Sequence, residues 1–238
     1  MYRNYIFDLY GTLADIRTDE ESPDLWKKTA LWYGEHEAYY NPAELWKRYL
    51  ALCHFYQNQN EDPYYEIELC DVFRDLFLEK GVEPSADLIA ETAIFFRCVS
   101  TVKLRLYPWV MPVFKMIREK GGKIYLLSNA QACFTNPELE FLGLKNAFDG
   151  IVLSSDAKVR KPGEGIIRNL FETYKLKKKD SIMIGNDQKA DIAVAKIWGI
   201  DSLYIETETS GKYDSAMKTA KELFKERFEK LPELLELC

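Results

Sequence analysis

The sequence has few of the residues that many metal, disulfide and nucleic-acid sites need. It contains two histidines and five cysteines in 238 residues. The cysteines are odd in number, widely spaced and never in a C-x-x-C pair, which argues against both a disulfide framework and a zinc site. His36 and His54 stand near no serine elbow or metal-ligand spacing, so we expect structural roles for them.

Excess positive charge and long apolar runs are also missing. Lysine and arginine number 32 against 38 acidic residues, a formal net charge of −6, so no basic surface for nucleic acid is expected. No stretch of eighteen apolar residues occurs, and the N-terminus begins on a strand rather than a leader pattern. We therefore expect a cytoplasmic protein with no nucleic-acid or membrane partner, either a monomer or a homodimer.

What the chain does contain is a short apolar strand, Tyr5 to Phe7, that runs directly into Asp8. From about residue 14 to residue 106 the pattern turns helical, with helix starts at Ser22-Pro23, at the capping-box sequence Asn41-Pro42-Ala43-Glu44, and at Ser85. A further helix is expected from the spacing of apolar residues between 65 and 76. No strand is expected in this region, which we interpret as an inserted helical cap domain.

From Tyr107 onward strands and helices alternate, as in a parallel sheet. We therefore predict an α/β fold, with a Rossmann-like core formed by residues 1–13 and 107–238 and an all-helical cap at residues 14–106. The predicted core strands are residues 123–127, 150–153, 181–184 and 202–205. The predicted core helices are residues 112–120, 134–142, 166–174 and 190–198, with Asn136-Pro137 as the start of the second, followed by an amphipathic tail helix at 215–237.

Polar residues follow the predicted strands at the points where they end. Because the strands of a parallel sheet share one direction, these groups converge on one edge of the sheet. Asp8 could be a turn or capping residue, or a carboxylate nucleophile that needs hydrogen-bond donors and a cation nearby. The candidate donors and cation are Ser128, Asn129 and Lys161. Asp187 and Asp191 are carboxylates able to hold Mg²⁺.

In order along the chain, Asp8-Leu9-Tyr10-Gly11-Thr12, Ser128-Asn129, Lys161-Pro162 and Gly185-Asn186-Asp187-x-x-x-Asp191 resemble the four motifs of the haloacid dehalogenase-like hydrolase superfamily. The resemblance implies that Asp8 is the nucleophile, that Ser128 and Asn129 bind the transferred group, and that Lys161 balances charge. It implies Mg²⁺ held by Asp8, the Tyr10 carbonyl and Asp187. Behind these groups, supporting roles are expected for Thr12, Asn186 and Asp191.

Tyr10 departs from the phosphatase pattern, in which a second aspartate two positions after the nucleophile serves as general acid and base. A tyrosine with an ordinary pKa near 10 replaces that carboxyl poorly at neutral pH. The D-x-Y-G-T sequence is similar to that of the dehalogenases, whose halide leaving group needs no proton. Tyr10 therefore favours dehalogenation.

The fourth motif favours the opposite interpretation. Dehalogenases of this superfamily need no metal, whereas Asp187 and Asp191 keep two acids near Asp8, which repel one another without a cation. Asn186 stands five residues before Asp191 and could occupy the first-acid position, but Asp187 can contribute a negative oxygen to a metal. The sequence thus favours a Mg²⁺-dependent phosphohydrolase of small phosphorylated metabolites, acting through an aspartyl-phosphate on Asp8. A metal-free 2-haloacid dehalogenase and a non-catalytic phospho-ligand-binding member are the alternatives.

Overall fold

The computed structural model describes residues 2–207 and contains two β-sheets in this range. The larger is a five-stranded, all-parallel sheet in the order β5-β4-β1-β6-β7, and the smaller pairs β2 with β3. The predicted α/β fold with a Rossmann-like parallel sheet is confirmed. The strands are β1 (Asn4–Phe7), β2 (Ala14–Thr18), β3 (Thr101–Leu106), β4 (Lys123–Ser128), β5 (Gly150–Leu153), β6 (Ser181–Gly185) and β7 (Asp201–Tyr204).

Helices occupy both faces of the large sheet and the region between β2 and β3. None of the helices among residues 2–207 is long and apolar enough to span a membrane. The helices are α1 (Pro23–Glu35), α2 (Pro42–Gln57), α3 (Leu69–Leu78), α4 (Ala86–Ser100), α5 (Val110–Glu119), α6 (Ala132–Phe141), α7 (Ser154–Ala157), α8 (Glu164–Tyr174) and α9 (Ala193–Trp198). Short 3₁₀ and π-helical turns cover Lys178–Asp180 and Gln188–Ile192.

The central strand β1 is buried on both faces, so its side chains alternate between two apolar layers. Phe7 packs toward α5, where its ring lies 5.4 Å from that of Phe114. Ile6 points to the other face and belongs to the cluster that contains Leu170 of α8 and Val194 of α9. With parallel neighbours on either side, β1 delivers Asp8 to the middle of the carboxyl edge.

Helices α1 to α4 form a separate bundle with its own aromatic core, which we term the helical insertion. Trp26, Tyr33, Phe73 and Phe96 are buried in this core, where each large ring removes substantial apolar area from water. The predicted starts of α2 and α4 are confirmed: Asn41 and Glu44 form a capping box, and the Ser85 side chain accepts from the Leu88 amide. Ser22 holds the N-cap position of α1 without a side-chain bond.

The expectation that no strand lies between residues 14 and 106 is wrong, because β2 and β3 pair antiparallel at the two ends of the insertion. Each strand is short and places apolar residues on only one side, so neither resembles a core strand in sequence. Asp15 of β2 is 4% exposed and bonds Lys103 and Arg105 of β3, the latter at 2.9 Å. We term the β2–β3 pair the stalk, because it joins the insertion to the core. This ion cluster links the two strands of the stalk.

A second connection joins the insertion to the core between α2 and α3, and we term residues 64–69 the tether. Tyr65 does not extend α3, as its spacing suggested, but forms an antiparallel bridge with Val159. The Arg160 amide donates to the Tyr64 carbonyl at 2.8 Å, and the Glu66 amide donates to the Lys158 carbonyl at 3.2 Å. The insertion is thus bonded to the core by backbone as well as by side chains.

Helices α5, α6 and α8 each begin two residues earlier than predicted, and the fourth predicted core helix is divided. Helix α6 starts at Ala132 and contains Pro137. Its first turn is stabilised because Ser155 Oγ accepts the Ala132 amide at 2.9 Å and the Gln131 carbonyl accepts the amides of Phe134 and Thr135. The predicted helix at 190–198 is divided into the π-helical turn at Gln188–Ile192 and α9. The predicted tail helix at 215–237 lies outside the described residues.

Candidate active site

Asp8 follows β1 directly and is 6% exposed. Its amide donates to the Ile184 carbonyl of β6 at 3.0 Å, which extends the parallel pairing by one residue beyond Phe7. The chain then turns at Gly11, whose φ of 82° is a conformation that glycine adopts at little cost. The sheet and the turn together fix the Asp8 carboxylate at the mouth of the cleft.

Lys161 and Ser128 both bond the same oxygen of that carboxylate. Lys161 Nζ donates to Asp8 Oδ1 at 2.7 Å, and Ser128 Oγ donates to it at 3.0 Å. Lys161 also donates to the Leu127 carbonyl at 2.8 Å and to Asp191 Oδ1 at 2.6 Å. The lysine therefore satisfies all three of its donors while it is only 3% exposed.

Asn129 positions the lysine through its backbone. Its Oδ1 accepts the Lys161 amide at 2.6 Å and its Nδ2 donates to the Lys161 carbonyl at 3.0 Å. Both ends of the Asn129 side chain are therefore engaged by the chain itself. This pair of bonds connects the end of β4 to the loop that precedes α8.

Asp191 lies behind Lys161 and bonds on both oxygens: Oδ1 accepts from Lys161, and Oδ2 accepts the Asp187 amide at 2.9 Å. Burial raises the pKa of Asp191 to about 6. The positive charge of Lys161 opposes this rise, and the like charge of Asp8 adds to it. The nearby ion pairs raise the pKa of Lys161 against its own burial, so the lysine stays charged. A side chain at Gly185 would collide with Asp191, so glycine is needed there.

Asn186 and Asp187 point in different directions. Asn186 is buried, and its Oδ1 accepts a hydrogen bond from Thr12 Oγ1 at 3.0 Å. Asp187 is exposed, and its Oδ1 caps the π-helical turn by accepting the amides of Lys189 at 2.7 Å and Ala190 at 3.2 Å. Thr12 therefore supports Asn186 from behind, while Asp187 faces solvent at the cleft.

The Tyr10 hydroxyl is turned toward α6 and is bonded there. It donates to Glu138 Oε2 and lies 2.9 Å from Thr135 Oγ1, one helical turn earlier. Arg97 of α4 donates to Glu138 Oε1 at 2.6 Å and lies over the Tyr10 ring. Burial, followed by the charge of Glu138, raises the pKa of Tyr10 well above its usual range, so the phenol is not a proton donor at neutral pH.

Thr135 and Glu138 were not identified from the sequence. Their spacing of three residues places them on one face of α6, and that spacing was the signal available. Arg97 pairs with Glu138, and Arg48 pairs with Glu79 of the insertion at 2.5 Å. Both arginines therefore have carboxylate partners outside the cleft.

The cleft above Asp8 has a volume of about 690 Å³, and its lining brings together most of the site residues predicted from the sequence. No residue of α1 to α4 appears in this lining; β2 contributes Ile16. The predicted site residues in the lining are Asp8, Tyr10, Ser128, Asn129, Lys161, Asn186, Asp187 and Asp191. The helical insertion thus leaves the cleft open to solvent.

The oxygen atoms available at the cleft fit a hard cation such as Mg²⁺. Across residues 2–207, Asp8 Oδ2 and Asp187 Oδ2 accept no hydrogen bond, whereas their Oδ1 atoms do. Both residues line the cleft with Tyr10, and no nitrogen or sulfur ligand is among them. By its chemistry this donor set would suit Mg²⁺ rather than Zn²⁺.

A family model described as haloacid dehalogenase-like hydrolase matches residues 2–199 of the chain. The glyceraldehyde 3-phosphate phosphatase of Methanopyrus kandleri is 26% identical over 140 residues, which cover 58% of this chain and 59% of that protein. The match thus spans about three-fifths of the length of this curated relative.

Two solved structures share the fold. A HAD phosphatase from Thermococcus onnurineus superposes with a TM-score of 0.55 at 19% identity, covering 89% of this chain and 90% of its own. The L-2-haloacid dehalogenase from Xanthobacter autotrophicus gives a TM-score of 0.51 at 19% identity, covering 86% and 78%. At these identities the likeness establishes the architecture and does not discriminate between the two chemistries.

Proposed function

We propose that this chain, which belongs to the haloacid dehalogenase-like hydrolase family, is a Mg²⁺-dependent phosphohydrolase of small phosphorylated metabolites. The observation that carries the proposal is the asymmetry of the Asp8 carboxylate: Oδ1 is held by Ser128 and Lys161, while Oδ2 accepts no bond within residues 2–207. One oxygen is thus fixed, and the other faces the cleft in which the substrate and Mg²⁺ would bind. The phosphatase name of the Methanopyrus relative supports a phosphorylated substrate.

In the first step, an Asp8 carboxylate oxygen attacks phosphorus, a P–O bond to Asp8 forms, and the ester P–O bond breaks with its electron pair leaving on the alcohol oxygen. When substrate binds, Ser128 would turn its one hydroxyl proton from Asp8 to the transferred group, and Lys161 offsets the negative charge that accumulates beside Asp8 and Asp191. In the second step, water attacks the aspartyl-phosphate, which releases inorganic phosphate and restores the Asp8 carboxylate.

Mg²⁺, when bound, neutralises negative charge on the phosphate. Asp8, the Tyr10 carbonyl and Asp187 would hold it, with Thr12, Asn186 and Asp191 supporting them. Because the Tyr10 hydroxyl is bonded to Glu138, no acid from that position protonates the leaving group. The substrates best suited to this site are therefore those with good leaving groups, such as acyl and aryl phosphates.

The helical insertion, with its stalk, serves in this proposal as the cap domain at residues 14–106, and residues 1–13 and 107–238 form the core. The open cleft of about 690 Å³ is large enough for a small metabolite. Since α1 to α4 do not line it, substrate choice by the cap requires the insertion to move toward the cleft. Cytoplasmic location and a monomeric or dimeric state remain expectations.

The test measures phosphate release from an aryl phosphate with and without Mg²⁺, beside halide release from 2-chloropropionate. The proposal expects Mg²⁺-dependent phosphate release that is abolished in Asp8→Asn, a variant that keeps the size of the side chain and loses its charge. Asp24→Asn, on the exposed surface of α1, is the matched control and should retain full activity. Metal-independent halide release without phosphate release would overturn the proposal.

The second candidate function is 2-haloacid dehalogenation, favoured by one observation, the tyrosine in the D-x-Y-G-T sequence. In that reaction Asp8 forms a C–O bond to the substrate as the carbon–halogen bond breaks, and the halide leaves with the bonding electron pair and needs no proton. Water then hydrolyses the ester and restores the Asp8 carboxylate. A third reading, a non-catalytic member that binds a phosphorylated ligand, would be supported by tight binding of phosphate without turnover in either assay.

A further inference from the structure

Two cysteines that lie far apart in sequence meet where the helical insertion touches the core. Cys70 is the second residue of α3, and Cys133 is the second residue of α6. Their sulfur atoms and a carboxylate oxygen of Glu68 all lie within 4.8 Å of one another. We propose that Glu68, Cys70 and Cys133 form a site for a thiophilic divalent cation of the Zn²⁺ type, separate from the hydrolase cleft.

The backbone around these three residues is already bonded into place. The Leu69 amide donates to Gln131 Oε1 at 3.0 Å, and Gln131 Nε2 donates to the Ile67 carbonyl at 2.9 Å. Gln131 stands two residues before Cys133, and Leu69 stands directly before Cys70. The two segments that carry the thiols are therefore held together by hydrogen bonds in the absence of a metal, which lowers the entropic cost of binding one.

The spacing of the donors suits a tetrahedral ion. Zinc binds thiolate sulfur at about 2.3 Å, so two thiolates on one ion stand roughly 3.8 Å apart. A spread of 4.8 Å or less needs a contraction of the order of 1 Å, which side-chain rotation supplies. Three protein ligands leave the fourth position for water.

The two thiols hold the same position in their helices. Each is the second residue of a ten-residue helix, where the helix dipole favours negative charge. Binding would release the thiol protons to solvent, because zinc is held by thiolates.

The chemistry of the set separates this site from the one at Asp8. Two sulfurs and one carboxylate select a soft or borderline cation, whereas the cleft offers oxygen alone. Lys158, which pairs with Glu68 at 3.4 Å, is half-exposed and can swing away when the carboxylate turns to a metal. An ion here would bridge α3 of the insertion to α6 of the core.

The test uses the full chain, reduced with a phosphine, stripped with a chelator and titrated with Co²⁺. Thiolate ligation produces an intense near-ultraviolet charge-transfer band that oxygen ligation does not. We expect the band in the wild type at one equivalent, its loss in Cys70→Ser and in Cys133→Ser, and its displacement by Zn²⁺. Glu68→Gln should weaken the apparent affinity roughly tenfold, since a charged ligand is lost.

Cys98→Ser is the matched control, because Cys98 is exposed on α4 and lies outside the cluster; it should keep the band. Asp8→Asn should keep it as well, so that failure of the hydrolase proposal and failure of this one are distinguishable. If a serine variant does not fold, the Zn²⁺-induced rise in melting temperature is compared in Cys70→Ala and Cys133→Ala. No band in the wild type, or a band that survives both substitutions, would overturn the proposal.

Discussion

Tyr10 and Glu138 are bonded directly, with the phenol donating to Glu138 Oε2 while Arg97 donates to the other oxygen of the same carboxylate at 2.6 Å. The three residues belong to the loop after β1, to α6 and to α4 of the insertion. The Tyr10 hydroxyl is therefore held against α6, where Arg97 of the helical insertion meets the same carboxylate, and it is not free to donate to a leaving group.

Tyr10→Phe should lower stability with little effect on the turnover of an aryl phosphate. The change removes a buried hydrogen bond to a charged group, which costs about 1–3 kcal/mol, while the good leaving group needs no acid. Urea unfolding and steady-state kinetics with Mg²⁺ measure the two effects. Tyr39→Phe, at a side chain that is 72% exposed, is the control and should alter neither. A loss of turnover as large as that of Asp8→Asn would contradict this account.

Tyr10→Asp should raise the turnover of alkyl phosphates in Mg²⁺ more than that of aryl phosphates. A carboxyl at this position is too short to reach Glu138 and can protonate the poor leaving group. The ratio of kcat/KM for the two substrate classes is the measurement. An unchanged ratio in a folded variant would mean that the proton comes from another group, such as one on the cap.

Lys161→Met should destabilise the protein by about 3–5 kcal/mol and abolish turnover, because it leaves Asp8 and Asp191 buried without a counter-ion. The deficit should be pH-dependent. The pKa of Asp191 is already raised to about 6 and rises further without the lysine. A carboxyl with a raised folded pKa binds its proton more tightly when folded, so the variant gains stability as pH falls from neutral toward 4.

The measurement is the melting temperature of Lys161→Met relative to the wild type between pH 4 and 7. Lys189→Met, an exposed lysine at the same cleft, is its control and should show neither the deficit nor its pH dependence. A deficit that stays constant across this range would show that the buried carboxylates are not its cause.

Asp187→Asn should weaken activation by Mg²⁺ by at least about tenfold, since even residues behind metal ligands have effects of that size. The substituted amide oxygen still accepts the Lys189 and Ala190 amides, so the turn stays capped and only the charge is lost. The measurement is phosphate release against Mg²⁺ concentration. Normal activation in this variant, with loss of activation in Asn186→Ala, would assign the metal to Asn186 instead.

Asp15→Asn should weaken the pairing of the two stalk strands and lower the stability of the protein. This loss of stability should become smaller at acidic pH. The hydrogen bond from Lys103, aided by Arg105, lowers the pKa of Asp15 from its ordinary value of 3.8. A lowered folded pKa gives stability that is present above the unfolded pKa and is lost as pH falls below it. The difference in melting temperature from the wild type should therefore be constant from pH 7 to about 4 and shrink below that. Asp24→Asn should show no such difference, because Asp24 pairs with Lys28 on the exposed surface.

The sheet, the insertion and the polar strand ends could be predicted because each depends on a local signal. Apolar runs mark buried strands, capping sequences such as Asn41 to Glu44 mark helix starts, and parallel strands bring Asp8, Ser128 and Lys161 to one edge regardless of the intervening chain. These inferences needed only the order of the elements.

The remaining features depend on how elements turn toward one another. Asn186 is buried and Asp187 is exposed where the chain enters a π-helical turn, which leaves no mark in the residue pattern. Glu138 meets Tyr10 only after α6 is placed beside the loop that follows β1, and Cys70 meets Cys133 only after α6 is placed against the insertion. The strands of the stalk were missed because each pairs with a distant partner and places apolar residues on one side only.

The tether sets how the insertion can move. The Glu66 amide is bonded to the Lys158 carbonyl and the Arg160 amide to the Tyr64 carbonyl, and these bonds oppose a swing of the four helices about the stalk. Movement of the insertion toward the cleft that broke them would be a local unfolding event with its own free-energy cost. The rate at which the Glu66 and Arg160 amides exchange with deuterium would therefore report how often the tether releases the insertion to move toward the cleft.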